Sequence, residues 1–509
     1  MARQPNILIL MADQLTATAL PAYGNTVAKT PHMDRLAERG TVFANAYCNS
    51  PLCAPSRAVF MSGRLPSATG AHDNAAEFPS DTPTYAHYLR RAGYRTILAG
   101  KMHFCGADQL HGFEERLTTD IYPADFAWTP DWDDPGTRPD WYHTMDSVTQ
   151  AGPCVRTNQI DFDEETAFAA RQKLFDIARG TDARPFCLVV SLTHPHDPFA
   201  VPEPYWSRYA DAEIDMPRVT REQAPPDPHS ARLRHVCAMD AQPVTEAHVR
   251  AARHAYYGAV SYVDDHVGAI LETLAQARLA DDTVVILLSD HGEMLGERGL
   301  WYKMSFFEGA CRIPLIIHAP SRFAAGVVDR CVSLADILPT LAEIAGDGRP
   351  PAYAAPLDGR SLLPHLHRVG GHDEAVGEYL AEGAVAPLVM LRRGRFKFVS
   401  SPGDPDQFYD LGPDPLELDN LAARAEAPPE LASFRDEAAR RWDFGALRRT
   451  VVDSQRRRRL VAGALRLGAP RAWEFQPARD ASQQYMRNHM KLDDLEAAAR
   501  FPRVGLPGG

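Results

Sequence analysis

The residue best suited to covalent chemistry in this sequence is Cys53, in the stretch Cys53 to Arg57, which reads CAPSR. Proline suits the first turn of a helix, so Pro55 predicts a short helix that begins beside Cys53. The N–H groups and the dipole of a helix start favour negative charge, and Arg57, one turn further on, can reach the same place. Although an isolated cysteine is more often a buried structural residue, this pattern predicts an anionic nucleophile that acts on an anionic substrate.

Two pairs of polar residues, Asp13-Gln14 and Asp290-His291, each follow directly on an apolar run typical of a buried parallel strand. Ligands bind at the carboxyl ends of the strands in such a sheet. Two carboxylates, an amide and an imidazole form an oxygen-dominated set of ligands, which suits Ca²⁺, Mg²⁺ or Mn²⁺ better than zinc. Each aspartate alone would more often cap a helix, but the two together predict a divalent metal site.

Bases and cations follow other predicted strands in the same way. Lys101 and His103 come just after one such strand, His194 comes after another, and Lys303 lies a short distance beyond Asp290. A lone histidine is usually a core or surface residue, but several such groups at strand ends indicate a shared active site.

The elements that must position these groups are strands and helices in alternation. Apolar runs such as Phe186 to Ser191 and Thr283 to Ser289 predict strands, and Thr30-Pro31 predicts the start of a helix that ends at Gly40. A long amphipathic helix is predicted over His254 to Ala280. This alternation predicts an α/β fold with a large, mostly parallel sheet flanked by helices.

The character of the chain changes after about Pro364. Residues Leu388 to Val399 resemble a hairpin with its turn at Arg393-Gly394. We predict a catalytic α/β domain over 1–364, a smaller α+β subdomain with a small antiparallel sheet over 365–452, and an extended C-terminal arm over 453–509. The arm carries apolar anchors, which indicate that it docks on another surface: Trp473, Phe475, Tyr485, Met486 and Met490.

Composition excludes several classes of protein. The chain has 509 residues, 45% of them hydrophobic, and a net charge of −12, which argues against nucleic acid as a partner. Its eight cysteines are scattered and form no Cys-x-x-Cys pair, so we do not expect a disulfide framework. Such spacing is typical of a protein in the reducing cytoplasm. The apolar run near the N-terminus is too short for the core of a signal peptide. No apolar run in the sequence approaches the length needed to span a membrane.

The pattern Cys-x-Pro-x-Arg at Cys53 resembles the signature of the formylglycine-dependent sulfatases of the alkaline phosphatase superfamily. A closer resemblance, to the choline sulfatases, runs essentially end to end and is carried by segments that include 74–77, 83–94, 100–103, 109–120 and 485–490.

The resemblance implies that Cys53 is oxidised to formylglycine by a formylglycine-generating enzyme and that its hydrate attacks sulfur. It also implies that Lys101 and His103 hold and deprotonate the hydrate, and that His194 and Lys303 contact the sulfate and the leaving oxygen. Cys53 then joins Asp13, Gln14, Asp290 and His291 as a metal ligand, with Ca²⁺ as the expected ion.

The same resemblance implies a substrate that is a small quaternary ammonium sulfate ester. An ammonium of this kind forms no ordinary hydrogen bonds and is held by aromatic faces and carboxylates. The residues implied for its pocket are Asn74, Trp128, His143, Glu382 and Asp493. The arm is expected to form a homotetramer in which Asp493 completes the site of a neighbouring subunit.

Two departures near this pocket, His72 in place of tyrosine and Thr144 in place of asparagine, leave the leaving-group alcohol open. A phosphonate monoester or phosphodiester hydrolase, or an arylsulfatase of the same superfamily, would share the nucleophile and the metal site. A non-catalytic osmolyte-binding protein would keep the ammonium pocket without an activated nucleophile.

Overall fold

The computed structural model describes residues 4–469, 472–478, 485 and 490–502 of the chain. The strands are β1 (Asn6–Ala12), β2 (Thr41–Tyr47), β3 (Arg95–Gly100), β4 (Glu115–Arg116), β5 (Gly152–Cys154), β6 (Phe186–Ser191), β7 (Ala200–Pro202), β8 (Thr283–Ser289), β9 (Arg312–Ile313), β10 (Leu315–His318), β11 (Gly326–Ser333), β12 (Glu374–Tyr379), β13 (Leu388–Arg393), β14 (Phe396–Ser401) and β15 (Asp404–Asp410).

Helices separate most of these strands. They are α1 (Pro31–Arg39), α2 (Cys53–Ser62), α3 (Pro66–Thr69), α4 (Tyr85–Arg91), α5 (Asp146–Thr149), α6 (Asn158–Arg179), α7 (Glu203–Ser207), α8 (Pro228–Val236), α9 (Glu246–Gln276), α10 (Glu308–Cys311), α11 (Ile337–Ala345), α12 (Leu363–Leu366), α13 (Glu430–Arg441), α14 (Phe444–Leu465) and α15 (Leu492–Ala499).

The large sheet has the strand order β11-β2-β10-β8-β1-β6-β3-β4, with β9 paired to β2. Strands β8, β1, β6, β3 and β4 run parallel, whereas β10 runs antiparallel to both of its neighbours. Every residue of β1, β6 and β8 is buried, as expected for central strands covered on both faces. The predicted α/β fold with a mostly parallel sheet flanked by helices is confirmed.

The helix predicted to start at His254 begins earlier in the structure. Helix α9 starts at Glu246 because Thr245 caps it, with its hydroxyl accepting a hydrogen bond from the His248 N–H. The capping residues precede the apolar periodicity, so that periodicity alone placed the start too late. Helix α9 packs against α1 and α6.

The small sheet has the antiparallel order β12-β13-β14-β15, and Gly394 takes a positive φ in the hairpin turn between β13 and β14. A second apolar cluster joins this sheet to α13 and includes Val389, Phe398, Phe408 and Phe434. The small antiparallel sheet expected after residue 365 is therefore present.

Part of the C-terminal arm docks on its own chain. The Trp473 ring meets Phe126 edge to face at 5.1 Å, and a Glu474 carboxylate oxygen accepts a hydrogen bond from the Ala124 N–H at 3.1 Å. Arg116 lies 5.6 Å from the centre of the Phe475 ring. Met486, named above as an anchor, lies outside the described residues, as do residues 487–489.

Candidate functional site

The carboxyl ends of four parallel strands meet at one edge of the large sheet. In the strand register Ala12 pairs with Ser289, Met11 with Ser191, and Gly100 with Ser191. The residues that follow these strand ends include Asp13, Asp290, Lys101 and the segment 193–197. The sheet therefore brings separate stretches of sequence to one place.

Cys53 is the first residue of α2 and is 1% exposed. Its Sγ lies 3.2 Å from Nε2 of His291 and 4.0 Å from Oδ1 of Asp13. Burial raises the pKa of the Cys53 thiol, but Lys101, Lys303 and His291 together hold that pKa well below its usual value. The surroundings of this position therefore favour negative charge.

Arg57 lies one turn along α2, fully buried, and joins the two carboxylates beside Cys53. Its Nε donates to Oδ2 of Asp290 and its Nη2 donates to Oδ2 of Asp13, both at 2.8 Å. The remaining nitrogen, Nη1, donates to the Lys101 carbonyl at 2.6 Å and to Ser191 Oγ at 2.9 Å. One guanidinium thus links the ends of four strands.

Four buried side chains at this point could hold a metal ion: Asp13, Cys53, Asp290 and His291, whose ligand atoms all lie within 4.8 Å of one another. Nδ1 of His291 lies 3.0 Å from the Gly292 carbonyl oxygen, a contact that leaves Nε2 free as a ligand. Gly292 is required here, since a Cβ would lie 2.1 Å from the Gly309 carbonyl oxygen. Charge, burial and donor type in this group fit a divalent cation.

The side chain of Gln14 lies beside this group and is engaged by other residues. Its amide nitrogen donates to Glu293, and its oxygen accepts from Nζ of Lys303 at 2.6 Å. Burial raises the pKa of Glu293 to about 7. Glu293 also accepts hydrogen bonds from the N–H groups of Leu295 and Tyr302, so it ties Gln14 to the loop that carries Lys303. This role of Glu293 was not predicted from the sequence.

Lys101 and His103 face Cys53 from the loop after β3. Lys101 forms an ion pair with Asp13, and His103 contributes to lowering the pKa of the Cys53 thiol. Gly100 allows the turn into this loop, because a Cβ there would lie 2.0 Å from the Ser191 carbonyl oxygen.

The loop is held from outside by Asp120. One oxygen of this carboxylate accepts from the N–H groups of Met102 and His103 at 2.9 and 2.8 Å, and from Arg116 at 2.7 Å.

The histidine that the structure places in the site is His196, and not His194 as the sequence analysis expected. Nε2 of His196 lies 2.8 Å from Nζ of Lys303. His194 instead contacts Asp163 of α6 at 2.7 Å through Nδ1 and packs on Tyr262 of α9. Both histidines follow the same strand, and the partner that removes His194 from the site lies far away in sequence, so residue type alone could not separate them.

Three of the predicted pocket residues contact Ala54, His103 or His196, which lie close to Cys53 in this site. Oδ1 of Asn74 accepts a hydrogen bond from the N–H of Ala54 at 3.0 Å. The ring of Trp128 lies 6.1 Å from that of His103, and the ring of His143 lies 6.0 Å from that of His196. Trp141 stacks on Trp128 at 6.1 Å, and Tyr122 lies edge-on to it at 5.4 Å. The sequence analysis named neither Trp141 nor Tyr122, although aromatic residues are dense between positions 122 and 142.

Glu382 is a buried carboxylate without a hydrogen bond from any other side chain or backbone group among the described residues. Burial raises its pKa to about 8, and the nearby Asp73 carboxylate adds to the increase. Asp493, the remaining predicted pocket residue, is exposed on α15 and makes no hydrogen bond or ion pair with the site within the described part of this chain.

None of the helices described is both long enough and apolar enough to cross a membrane. None of the eight cysteines, all of which lie in the described part of the chain, forms a disulfide.

Comparison with known proteins places this chain in a family. A family model described as Sulfatase matches residues 5–347, and one described as Choline sulfatase enzyme C terminal matches residues 449–501. A third, N-sulphoglucosamine sulphohydrolase, C-terminal, matches residues 296–438.

Among individual relatives, a choline-sulfatase of Rhizobium meliloti (strain 1021) is 49% identical over 98% of this chain and 99% of its own length. Arylsulfatase K of Danio rerio is 28% identical over 83% of this chain and 81% of its own. The crystal structure of a phosphonate monoester hydrolase of Agrobacterium radiobacter is 27% identical with a TM-score of 0.66, and the match covers 88% of this chain and 96% of that one. The chain belongs to the sulfatase family and is a sulfuric ester hydrolase.

Proposed function

We propose that this enzyme hydrolyses choline-O-sulfate to choline and sulfate. The observation that carries the proposal is the unpaired buried carboxylate of Glu382, together with the Trp128 ring beside His103 and the Trp141 ring stacked on Trp128. The 49% identity to the Rhizobium meliloti choline-sulfatase supports it, and so does the match of residues 449–501 to the choline sulfatase C-terminal model.

Position 53 would carry the nucleophile. In the proposal, a formylglycine-generating enzyme oxidises Cys53, and the hydrated formylglycine supplies the hydroxyl that attacks sulfur. A divalent ion held by Asp13, Asp290, His291 and residue 53, with Gln14 beside it, would polarise the sulfate oxygens. Ca²⁺ is the preferred candidate because carboxylate oxygens dominate the set, with Mn²⁺ and Mg²⁺ as alternatives.

The residues around position 53 have separable tasks. Arg57 keeps the two aspartates oriented, and Lys101 and His103 face the nucleophile, where they can hold it and take up its proton. Lys303 and His196 lie together beside Gln14. In the proposal, Lys303 binds a sulfate oxygen, and the hydrogen-bonded pair of Lys303 and His196 supplies the proton to the departing choline oxygen.

The ammonium end of the substrate explains the state of Glu382. A buried carboxylate with no partner is costly to ionise, which is why its pKa is raised. A quaternary ammonium can offset this cost by charge alone, while an aromatic face such as Trp128 attracts the same cation. Asn74 and His143 would complete the wall of the pocket between the two ends of the ester.

The proposal also includes the division of the chain at about residues 364 and 452, and a homotetramer formed through the C-terminal arm. Leu460, Leu467 and Leu492 are 75%, 79% and 66% exposed, which is unusual for leucine and fits a surface that is covered in an assembly. Asp493, next to Leu492, would then reach the ammonium pocket of a neighbouring subunit. A cytoplasmic location would fit cysteines that form no disulfide.

A second candidate is phosphonate monoester hydrolysis, favoured by the 27% identity to the Agrobacterium radiobacter phosphonate monoester hydrolase over most of both chains. A phenyl phosphonate ester has no ammonium group, so it would gain nothing from Glu382. Comparison of kcat/KM for choline sulfate and for such an ester separates the two functions.

The assignment of His196 is tested by a pair of variants. His196→Ala should lower kcat for choline sulfate by ~10²–10⁴-fold, since a proton donor at the leaving oxygen is removed. His194→Gln should lower kcat by less than ~10-fold and act mainly on stability, by about 1–3 kcal/mol, because it weakens a buried hydrogen bond. Steady-state kinetics and urea unfolding measure the two effects. The opposite ranking of the two kcat values would refute the assignment.

The aromatic wall is tested by Trp128→Ala. Loss of a desolvated cation–π contact of about 2 kcal/mol should lower kcat/KM for choline sulfate roughly 30-fold. Turnover of 4-nitrophenyl sulfate, which has no ammonium, should change by less than ~3-fold. Trp206→Ala is the matched control, because Trp206 of α7 stacks on His254 with ring centres 3.7 Å apart. This variant should leave the ratio of kcat/KM for the two substrates unchanged. Equal losses on both substrates in Trp128→Ala would count against the pocket.

The charge of Glu382 is tested by the pH dependence of kcat/KM, which reports groups of the free enzyme. The Glu382 pKa of about 8 means that its attractive, ionised form increases as the pH rises through 8. The kcat/KM for choline sulfate should therefore rise over this range, and the rise should be absent in Glu382→Gln and with 4-nitrophenyl sulfate. A rise of the same size in Glu382→Gln would show that another group is responsible.

A further inference from the structure

Helix α14 has a buried stripe that changes character along its length. Val451 and Val452 are apolar, but one and two turns further on the buried residues are Gln455 and Arg458. Polar side chains are rarely buried unless they bond to specific partners. The partners of Gln455 and Arg458 include the chain neighbours of residues in the proposed ammonium pocket.

Arg458 contacts the immediate neighbours of two pocket residues. Its Nη1 donates to Oδ1 of Asp73 at 2.8 Å and to Oγ1 of Thr129 at 2.9 Å, and its Nη2 donates to Oδ2 of Asp73 at 2.7 Å. Asp73 precedes Asn74 in the chain, and Thr129 follows Trp128. One guanidinium therefore fixes both segments relative to each other.

Gln455 connects α14 to the backbone beside a third pocket residue, Glu382. Its Oε1 accepts a hydrogen bond from the Trp132 N–H at 2.9 Å, and the indole N–H of Trp132 donates to the Ala381 carbonyl at 3.0 Å. Ala381 is the chain neighbour of Glu382. Two adjacent turns of the helix thus bind the chain neighbours of Asn74 and Trp128 directly, and that of Glu382 through Trp132.

We propose that α14 is the positioning element of the ammonium pocket, with Arg458 and Gln455 as positioning residues that set the preference for a cationic substrate. This inference rests on the proposed function. Neither residue needs to contact the substrate, since each acts through residues 73, 129 and 132. Both lie within residues 449–501, the segment that matches the choline sulfatase C-terminal model.

The electrostatics of the pocket support the same role for Arg458. Asp73 is fully buried, and its charge acts on Glu382. A bidentate guanidinium pairs strongly with a carboxylate, so Arg458 offsets part of the effect that the Asp73 charge has on Glu382. Glu382 is then left as the unpaired buried carboxylate that attracts a cation, while Asp73 serves the framework.

The test compares three variants on two substrates. Arg458→Met should lower kcat/KM for choline sulfate on the order of 100-fold and that for 4-nitrophenyl sulfate by less than ~3-fold, because only the ammonium pocket is displaced. Arg458→Lys keeps the charge without the fork and should recover about a third to a tenth of the wild-type value. Arg456→Met is the matched control. Arg456 is also in α14 and pairs with Asp133, but its side chain is 58% exposed. The kcat/KM for each substrate should therefore stay within ~2-fold of the wild-type value.

If Arg458→Met does not fold, Gln455→Met and Thr129→Val take its place. Gln455→Met removes the hydrogen bond to the Trp132 N–H, and Thr129→Val removes the bond from Arg458 together with one that Thr129 donates to the Phe126 carbonyl. Each should lower kcat/KM selectively for choline sulfate, by roughly 3–10-fold. Equal losses on both substrates in a folded variant would overturn the positioning role. A wild-type enzyme that prefers 4-nitrophenyl sulfate to choline sulfate would instead overturn the proposed function, so the two failures are distinguishable.

Discussion

The structure of the site depends on the guanidinium of Arg57. Two aspartates that end neighbouring strands would repel each other in a buried position, and Arg57 binds an oxygen of each at 2.8 Å. Breaking a buried pair of this kind leaves an uncompensated charge and typically costs 3–5 kcal/mol. Because Arg57 and Cys53 lie one turn apart on α2, the residue that orders the carboxylates also fixes Cys53, the proposed site of the nucleophile, beside them.

The large sheet explains why such a concentration of charge can be held in place. The parallel strands β8, β1, β6 and β3 end in register, and their apolar residues are buried along their full length. The rigid part of the fold supplies the position, and the loops beyond the strand ends supply the chemistry. Asp120 and Glu293, which bond backbone N–H groups of these loops, keep Lys101, His103 and Lys303 aimed at one centre.

Much of this arrangement could be predicted from local sequence. Continuous apolar runs predicted β6 and β8 with the bounds that the structure shows. The position of Asp13 and Asp290 directly after such runs predicted that the two carboxylates would meet at one edge of the sheet. Periodicity missed the start of α9, because a capping threonine and not an apolar residue begins it.

Long-range contacts could not be predicted in this way. The choice between His194 and His196 depends on Asp163 in a distant helix, and the unpaired state of Glu382 depends on all its neighbours. The contact of Arg458 with Asp73 joins residues 385 positions apart. The pocket residues themselves came from a family resemblance, and only the folded chain shows what holds their neighbours.

The central claim is that position 53 carries formylglycine in the working enzyme. It is tested most directly by the mass of the peptide that contains residue 53, taken from a preparation with measured choline sulfate turnover. The account predicts a peptide lighter than the thiol form by the replacement of the thiol-bearing methylene with an aldehyde, in proportion to activity across preparations. A fully active enzyme in which Cys53 remains an unmodified thiol would contradict it.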